Sequence, residues 1–218
     1  MDLKLVIFDL DGTLVDAYTA VQKSFNVALE ALGYPALDLD TVRQSVGWGE
    51  RLLIAKFVKE EDVDKAISIY RQHHAVALKS DVRLLPHAKE VLAALKKEGT
   101  QLAIASNRPA RFTEIILKYQ GIRSFFDYAL CADQVKTPKP DPEILQKILQ
   151  KFGCLSQDAV YVGDMIVDVR AGANARIKTI AVTTGSSSKE EILAETPFAC
   201  FDSLAEVGNV LLKRRKIN

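Results

Sequence analysis

The sequence predicts an α/β fold in which a parallel sheet is interrupted by an all-helical insertion. Short apolar segments alternate with amphipathic helical segments along the chain after Pro86, a pattern typical of parallel sheets covered by helices. Residues 17–80, in contrast, show helical periodicity throughout. Acidic, hydroxyl and lysine side chains follow the apolar segments, at the positions where open parallel sheets bind ligands.

Five apolar segments are predicted to be strands of this sheet: residues 4–8, 102–105, 128–131, 159–162 and 178–182. Each is short and nearly continuous in apolar character, as expected for a strand buried on both faces. Helical segments separate the strands that follow the insertion. In residues 88–95, for example, apolar side chains recur at i, i+3, i+4 and i+7.

The helical insertion divides the chain into two predicted domains. Residues 1–16 and 81–218 are expected to form the sheet-containing core, and residues 17–80 a helical cap. Because the insertion begins directly after the first strand, we expect the cap to lie beyond the carboxyl end of that strand, where ligands bind.

Composition excludes several classes of partner. The 218 residues include 29 basic and 28 acidic side chains, which gives no reason to expect a nucleic acid or an anionic membrane. No apolar stretch approaches the ~20 residues of a membrane span, and the N-terminus lacks the pattern of a signal peptide. Three cysteines without metal-ligand spacing do not indicate a disulfide framework or a zinc site. We therefore predict a cytoplasmic protein, either a monomer or a homodimer.

The strongest functional signal follows the first strand, in the segment DLDGT that begins at Asp9. Asp9 and Asp11 are two residues apart, so an extended backbone points both carboxylates in the same direction. Two close carboxylates favour a hard divalent cation, and one of them can act as a nucleophile while the other donates a proton. The alternative interpretation is a solvated turn rich in aspartate.

A second pair of acidic residues, Asp164 and Asp168, follows the strand at 159–162. Their spacing of four residues places both carboxylates on one face of a helical turn, where they can share a site. The alternative interpretation is a pair of acids that interact with the helix dipole.

Polar residues also follow the strands at 102–105 and 128–131. Ser106 and Asn107 offer a hydroxyl and an amide at a helix N-terminus, a suitable cradle for phosphate, although either can serve as a plain helix cap. Lys139 can neutralise charge on a phosphoryl group, and Lys136 is a competing candidate. Because parallel strands end at one edge of the sheet, these groups are expected to converge on one pocket.

Together these four motifs resemble those of the haloacid dehalogenase superfamily, and within it the group similar to phosphoglycolate phosphatase and β-phosphoglucomutase. The matching segments are DLDGTL from Asp9, Ser106, KPDPE from Lys139 and GDMIVD from Gly163. The resemblance covers nearly the whole chain. It implies a Rossmann-like core with a helical cap inserted after the first motif, the arrangement called a C1 cap.

The resemblance implies a catalytic role for four residues. Asp9 is expected to attack phosphorus and form an aspartyl-phosphate, and Asp11 to protonate the leaving oxygen and then activate water. Ser106 and Lys139 are expected to hold the phosphoryl oxygens. Arg108 stands where relatives often carry lysine, so a cation is kept at that position.

The resemblance also implies Mg²⁺ as the cofactor. Its expected ligands are Asp9, the backbone carbonyl of Asp11, and Asp164. Asp168 is expected to support the metal or to orient Lys139.

The predicted function is that of a Mg²⁺-dependent phosphatase acting on a small phosphorylated metabolite of the phosphoglycolate, sugar phosphate or nucleotide class. In the core, Thr13 and Asn107 are expected to bind the substrate together with Ser106 and Lys139. In the cap, Arg51 is expected to pair with a substrate anion, or else to be an exposed arginine at a helix start.

Two other functions stay open from the sequence. A phosphomutase of the β-phosphoglucomutase type shares the core residues but returns the phosphoryl group to a sugar. A non-catalytic binding protein on the same fold would be marked by loss of Asp9, Asp11 or the metal acids, and this chain keeps all of them. Dehalogenation is set aside because dehalogenases lack an acid at the position of Asp11.

Overall fold

A computed structural model describes residues 3–215 of the protein. Its strands are β1 (Leu5–Phe8), β2 (Val15–Asp16), β3 (Arg83–Leu84), β4 (Gln101–Ser106), β5 (Tyr128–Cys131), β6 (Ala159–Gly163), β7 (Lys178–Val182) and β8 (Ala199–Phe201). Six of them form a parallel sheet in the order β5-β4-β1-β6-β7-β8. The predicted parallel sheet is confirmed, and β8 adds an edge strand that is too short and too exposed to be recognised from its apolar pattern.

The helices are α1 (Tyr18–Ala31), α2 (Leu39–Ser45), α3 (Glu50–Ala55), α4 (Val63–Ala77), α5 (Ala88–Lys97), α6 (Ala110–Tyr119), α7 (Glu143–Phe152), α8 (Ile166–Asn174), α9 (Lys189–Ala194) and α10 (Leu204–Arg215). Among residues 3–215, none of them is both long enough and apolar enough to cross a membrane.

Helices cover both faces of the sheet, and β1 shows how the sequence encodes this. All four residues of β1 are fully buried. Val6 and Phe8 pack in one hydrophobic cluster, whereas Leu5 and Ile7 pack in a second cluster on the other face. Because side chains alternate along a strand, a continuous apolar run is what a strand with two buried faces requires.

Helices α1–α4 form a separate layer with its own hydrophobic cluster, which includes Phe25, Leu29 and Ile54. The chain enters this layer after β2 and leaves it before β3, and these two strands pair in antiparallel fashion. We propose that this two-stranded ribbon is the joint between the core and the predicted cap at residues 17–80. The fold is thus an α/β, Rossmann-like core with an inserted helical cap, as predicted.

Candidate active site

The carboxyl ends of β1, β4 and β6 lie side by side and bring the predicted motifs together. Asp9 follows β1, Ser106 ends β4, and Asp164 follows β6. A cavity of about 90 Å³ lies over these ends. Its floor is formed by Asp9, Asp11, Ser106, Asn107, Lys139 and Asp168, and its roof by Tyr18, Val21, Val46, Leu53 and Tyr70.

The ammonium group of Lys139 lies at the centre of the floor. Its Nζ is 2.7 Å from Oδ1 of Asp9 and 2.7 Å from Oδ1 of Asp168. The same atom is 3.0 Å from the carbonyl oxygen of Ala105 and 2.9 Å from the hydroxyl of Tyr161, which donates to Asp168. The lysine is therefore held in one place by groups from β4, β6, α8 and the segment that follows β1.

Lys139, and not the competing candidate Lys136, reaches the site. The side chain of Lys139 is 2% exposed, whereas Lys136 lies on the surface. Burial lowers the pKa of Lys139, but the nearby carboxylates of Asp168 and Asp9 outweigh this effect and hold the pKa above its ordinary value. The lysine therefore carries its positive charge throughout the neutral range.

Asp9 and Asp164 are difficult to ionise in the absence of a further cation. Burial raises the pKa of Asp9 to about 7, and the charges of Asp168 and Asp11 add to the increase, although Lys139 opposes it. Burial also raises the pKa of Asp164 well above its usual range, together with the charges of Asp168 and Asp9. The floor thus favours additional positive charge.

Three of these carboxylates fit a divalent cation. One oxygen from each of Asp9, Asp164 and Asp168 lies within 4.8 Å of the others, and all three residues are buried. When ionised they carry three negative charges against the single positive charge of Lys139, so a divalent cation balances the cluster. Carboxylate oxygens are also the ligands that Mg²⁺ prefers.

Small residues and hydrogen bonds fix the orientation of Asp164. Its Oδ1 accepts a hydrogen bond from the hydroxyl of Thr13 at 3.0 Å, and its Oδ2 accepts one from the backbone of Ser186 at 3.2 Å. A Cβ at Gly12 would lie 2.4 Å from Oδ2 of Asp164, and a Cβ at Gly185 only 1.6 Å from it. The backbone can therefore approach this carboxylate because both positions are glycine.

Thr13 and Asn107 form hydrogen bonds with protein groups, and their contact with substrate stays a prediction. Thr13 is fully buried, and its hydroxyl donates a hydrogen bond to Asp164. The amide of Asn107 donates to the carbonyl oxygens of Lys139 at 3.0 Å and Gly47 at 3.1 Å, and it accepts from the backbone N–H of Lys139 at 2.9 Å. Asn107 thus joins the lysine loop to a loop of the cap.

The carboxylate of Asp11 turns away from the carboxylate cluster and pairs with Arg108. Nε of Arg108 donates to Oδ2 of Asp11 and Nη2 donates to Oδ1, both at 2.8 Å. This bidentate geometry is the strongest form of arginine–carboxylate pairing. The backbone N–H of Arg108 also donates to Oγ of Ser106 at 3.2 Å, which links the second motif to the same pair.

Arg51 does not reach the cavity, in contrast to the sequence prediction. Its guanidinium pairs with Asp64 at 2.6 Å, and the two side chains are 58% and 84% exposed. The periodicity of α3 explains this, since Glu50 and Leu53 are three residues apart and face the cavity while Arg51 faces solvent. That spacing was the available signal for Glu50 and Leu53, which sequence reasoning missed.

A family model described as haloacid dehalogenase-like hydrolase matches residues 6–182. The chain belongs to this family. The family, fold and enzyme class predicted from the motifs, a phosphatase of the haloacid dehalogenase-like kind, are thereby confirmed.

Several relatives of this hydrolase are similar over nearly their whole length. It is 31% identical to a phosphoglycolate phosphatase of Psychrobacter arcticus, with all of both chains covered, and 32% identical to that of Vibrio parahaemolyticus, with 96% of each covered. A crystal structure of a predicted phosphoglycolate phosphatase from Haemophilus somnus superposes with a TM-score of 0.91 at 27% identity, covering 97% of this chain and 99% of that one.

Proposed function

We propose that this hydrolase is a Mg²⁺-dependent phosphatase that cleaves a small phosphate monoester through a phosphorylated Asp9. The observation that carries the proposal is the contact between Asp9 and Lys139, because it places a carboxylate nucleophile beside a buried, permanently charged lysine at the base of a cavity. Such a pair can approach a phosphate dianion and neutralise the charge that develops on it.

The first step is a displacement at phosphorus. An oxygen of Asp9 forms a bond to phosphorus while the bond to the ester oxygen breaks, and Asp11 gives a proton to that leaving oxygen. Lys139 and Ser106 stabilise the phosphoryl oxygens. When bound at Asp9, Asp164 and Asp168, with the backbone carbonyl of Asp11, Mg²⁺ supplies positive charge that offsets repulsion between the nucleophile and the phosphate.

The second step returns Asp9 to its starting state. Asp11, now ionised, accepts a proton from a water molecule, and the water oxygen attacks phosphorus of the aspartyl-phosphate. The bond between phosphorus and the Asp9 oxygen breaks, inorganic phosphate leaves, and Asp11 holds the proton needed for the next turnover.

The proposed substrate has a small leaving group, with phosphoglycolate first among the candidates. A cavity of about 90 Å³ beneath an apolar roof favours a short ester over a nucleotide. The names of the relatives with 31% and 32% identity point in the same direction. The cytoplasmic location and the monomeric or homodimeric state stay predictions.

Release of inorganic phosphate over a panel of phosphorylated metabolites tests the proposal. We expect turnover with Mg²⁺ that is abolished by EDTA and by Asp9→Asn, whereas Asp40→Asn, at an exposed position of α2, leaves it unchanged. Isomerised sugar phosphate without net phosphate release would identify a phosphomutase. Turnover that persists in both EDTA and Asp9→Asn would contradict the proposed mechanism.

A further inference from the structure

The guanidinium of Arg108 connects the predicted proton donor Asp11 with the cap. Besides its two hydrogen bonds to Asp11, Nη1 lies 2.5 Å from Nε2 of His74 on α4. The side chain of Arg108 is 9% exposed. One buried cation therefore touches the floor and the cap at the same time.

His74 is built to accept this hydrogen bond. Burial, reinforced by the charge of Arg108, lowers the pKa of His74 to about 2, so that the ring is neutral. With Nε2 accepting from Arg108, the ring proton lies on Nδ1, which is 3.1 Å from Oγ of Ser24, and that hydroxyl donates to the carbonyl oxygen of Ala20. Each group in this series of hydrogen bonds, from Arg108 to Ala20, thus has a partner.

Aromatic packing fixes the ring of His74 in place. It stacks on Tyr70 with the ring centres 4.6 Å apart, and Phe112 of α6 contacts it edge-on at 5.0 Å. His74 is fully buried. The ring therefore acts as a rigid stop for the guanidinium, since neither its orientation nor its charge can change easily.

We propose that Arg108 is a positioning residue that orients Asp11 for proton transfer, and that His74 of the cap holds the guanidinium of Arg108 in position. The inference rests on the proposed function, in which Asp11 is the acid and base. A bidentate pair fixes the plane of a carboxylate and leaves one lone-pair position on each oxygen for a proton. Without it Asp11, whose side chain is 26% exposed, is free to rotate.

The dependence of the rate on the leaving group distinguishes positioning from general support of the fold. An alkyl phosphate needs a proton on its leaving oxygen, so its first step depends on a well-oriented Asp11. Acetyl phosphate releases acetate, which leaves without a proton. A loss of Asp11 orientation therefore lowers kcat/KM for the alkyl phosphate much more than for acetyl phosphate, whereas a general loss of structure lowers both equally.

The test compares the best alkyl phosphate of the panel with acetyl phosphate in four variants. For Arg108→Met we expect a loss in kcat/KM of about 100-fold with the alkyl phosphate and less than about 5-fold with acetyl phosphate. Arg108→Lys keeps the positive charge but not the two parallel hydrogen-bond donors of the guanidinium. Its loss in kcat/KM is therefore expected to lie between the values for wild type and Arg108→Met. His74→Phe should show the same pattern at about 10-fold, while Gln72→Phe, at an exposed position of α4, should not.

Two outcomes overturn the inference. Equal losses with both substrates in Arg108→Met and Arg108→Lys would show that Arg108 does not act through Asp11. Equal losses in His74→Phe and Gln72→Phe would show that His74 does not hold Arg108 in position. Asp11→Asn separates this failure from failure of the proposed function. If Asp11→Asn shows the selective loss and the Arg108 variants do not, the proposed mechanism stands and the positioning role falls.

Discussion

The floor and the roof of the cavity differ in both composition and origin. The floor consists of charged and polar groups from the ends of four adjacent strands and the segments that follow them, and its groups are joined by hydrogen bonds of 2.7–3.0 Å around Lys139. The roof consists largely of apolar and aromatic side chains from the helical cap. In the proposed function, the floor carries out phosphoryl transfer and the roof selects the leaving group.

This difference separates two kinds of effect. Changes around Asp9 and Lys139 in the floor should alter the reaction with every substrate and also the stability of the buried charges. Changes to the roof should alter the order of preference among substrates and leave the chemistry in place. Substitutions in each region therefore test whether the two regions are separable.

The largest effect is expected for Lys139→Met. Removing the lysine leaves buried carboxylates without their shared partner, so turnover should fall about 1000-fold with every substrate. The free energy of unfolding in EDTA, measured with urea, should fall by about 3–5 kcal/mol. Lys136→Met, at the exposed lysine three residues earlier, is the matched control, and similar losses in both variants would contradict this account of the floor.

A divalent cation should stabilise the fold through the same cluster. At one hundred times its Kd, Mg²⁺ is expected to raise the free energy of unfolding by about 2.7 kcal/mol relative to EDTA, because it binds the folded carboxylates. Asp164→Asn should lose most of this gain. An equal gain in wild type and in Asp164→Asn would place the cation elsewhere.

Where the roof meets Arg108, the neutral ring of His74 should make stability depend on pH. Its pKa of about 2 in the folded chain lies below the ordinary value of 6.5, so the unfolded chain binds the extra proton and stability falls as pH decreases from 6.5. At about pH 4.5 the loss should be roughly 2–3 kcal/mol. The difference in unfolding free energy between wild type and His74→Phe should shrink by that amount between about pH 7 and pH 4.5. A difference that stays constant over this range would contradict the prediction that His74 is neutral in the folded protein.

The smallest effect is expected for Leu53→Val in the roof. Removing one methylene should change the ratio of kcat/KM between short and longer phosphate esters by about 10-fold, with little change for acetyl phosphate. Leu52→Val on the exposed side of α3 should leave this ratio unchanged. A uniform loss with all substrates in Leu53→Val would show that the roof and the floor are not separable.

The sequence predicted the floor better than the roof for a physical reason. Asp9, Ser106 and Asp164 are placed by strands whose apolar runs are easy to recognise, and parallel strands bring their ends to one edge. The contact between Lys139 and Asp9 follows from that placement. Local sequence patterns are therefore sufficient to predict a site residue when the position of its backbone in a strand already places its side chain in the site.

The roof depends on how short helices pack, which residue spacing alone defines poorly. Arg51 was predicted to bind substrate, yet the rotation of α3 directs Leu53 inward and Arg51 outward. The contact between Arg108 and His74 joins residues 34 positions apart in two different layers, and no local pattern marks it. Contacts of this kind become visible only when the layers are assembled.

The central claim is that Asp9 becomes phosphorylated. Asp11→Asn with acetyl phosphate tests it most directly, since the first step needs no acid and the second step lacks its base. After rapid acid quench and proteolysis, mass spectrometry should find one phosphoryl group on the peptide that contains Asp9, and none in the double variant with Asp9→Asn. Continued release of phosphate without any modified peptide would contradict the account.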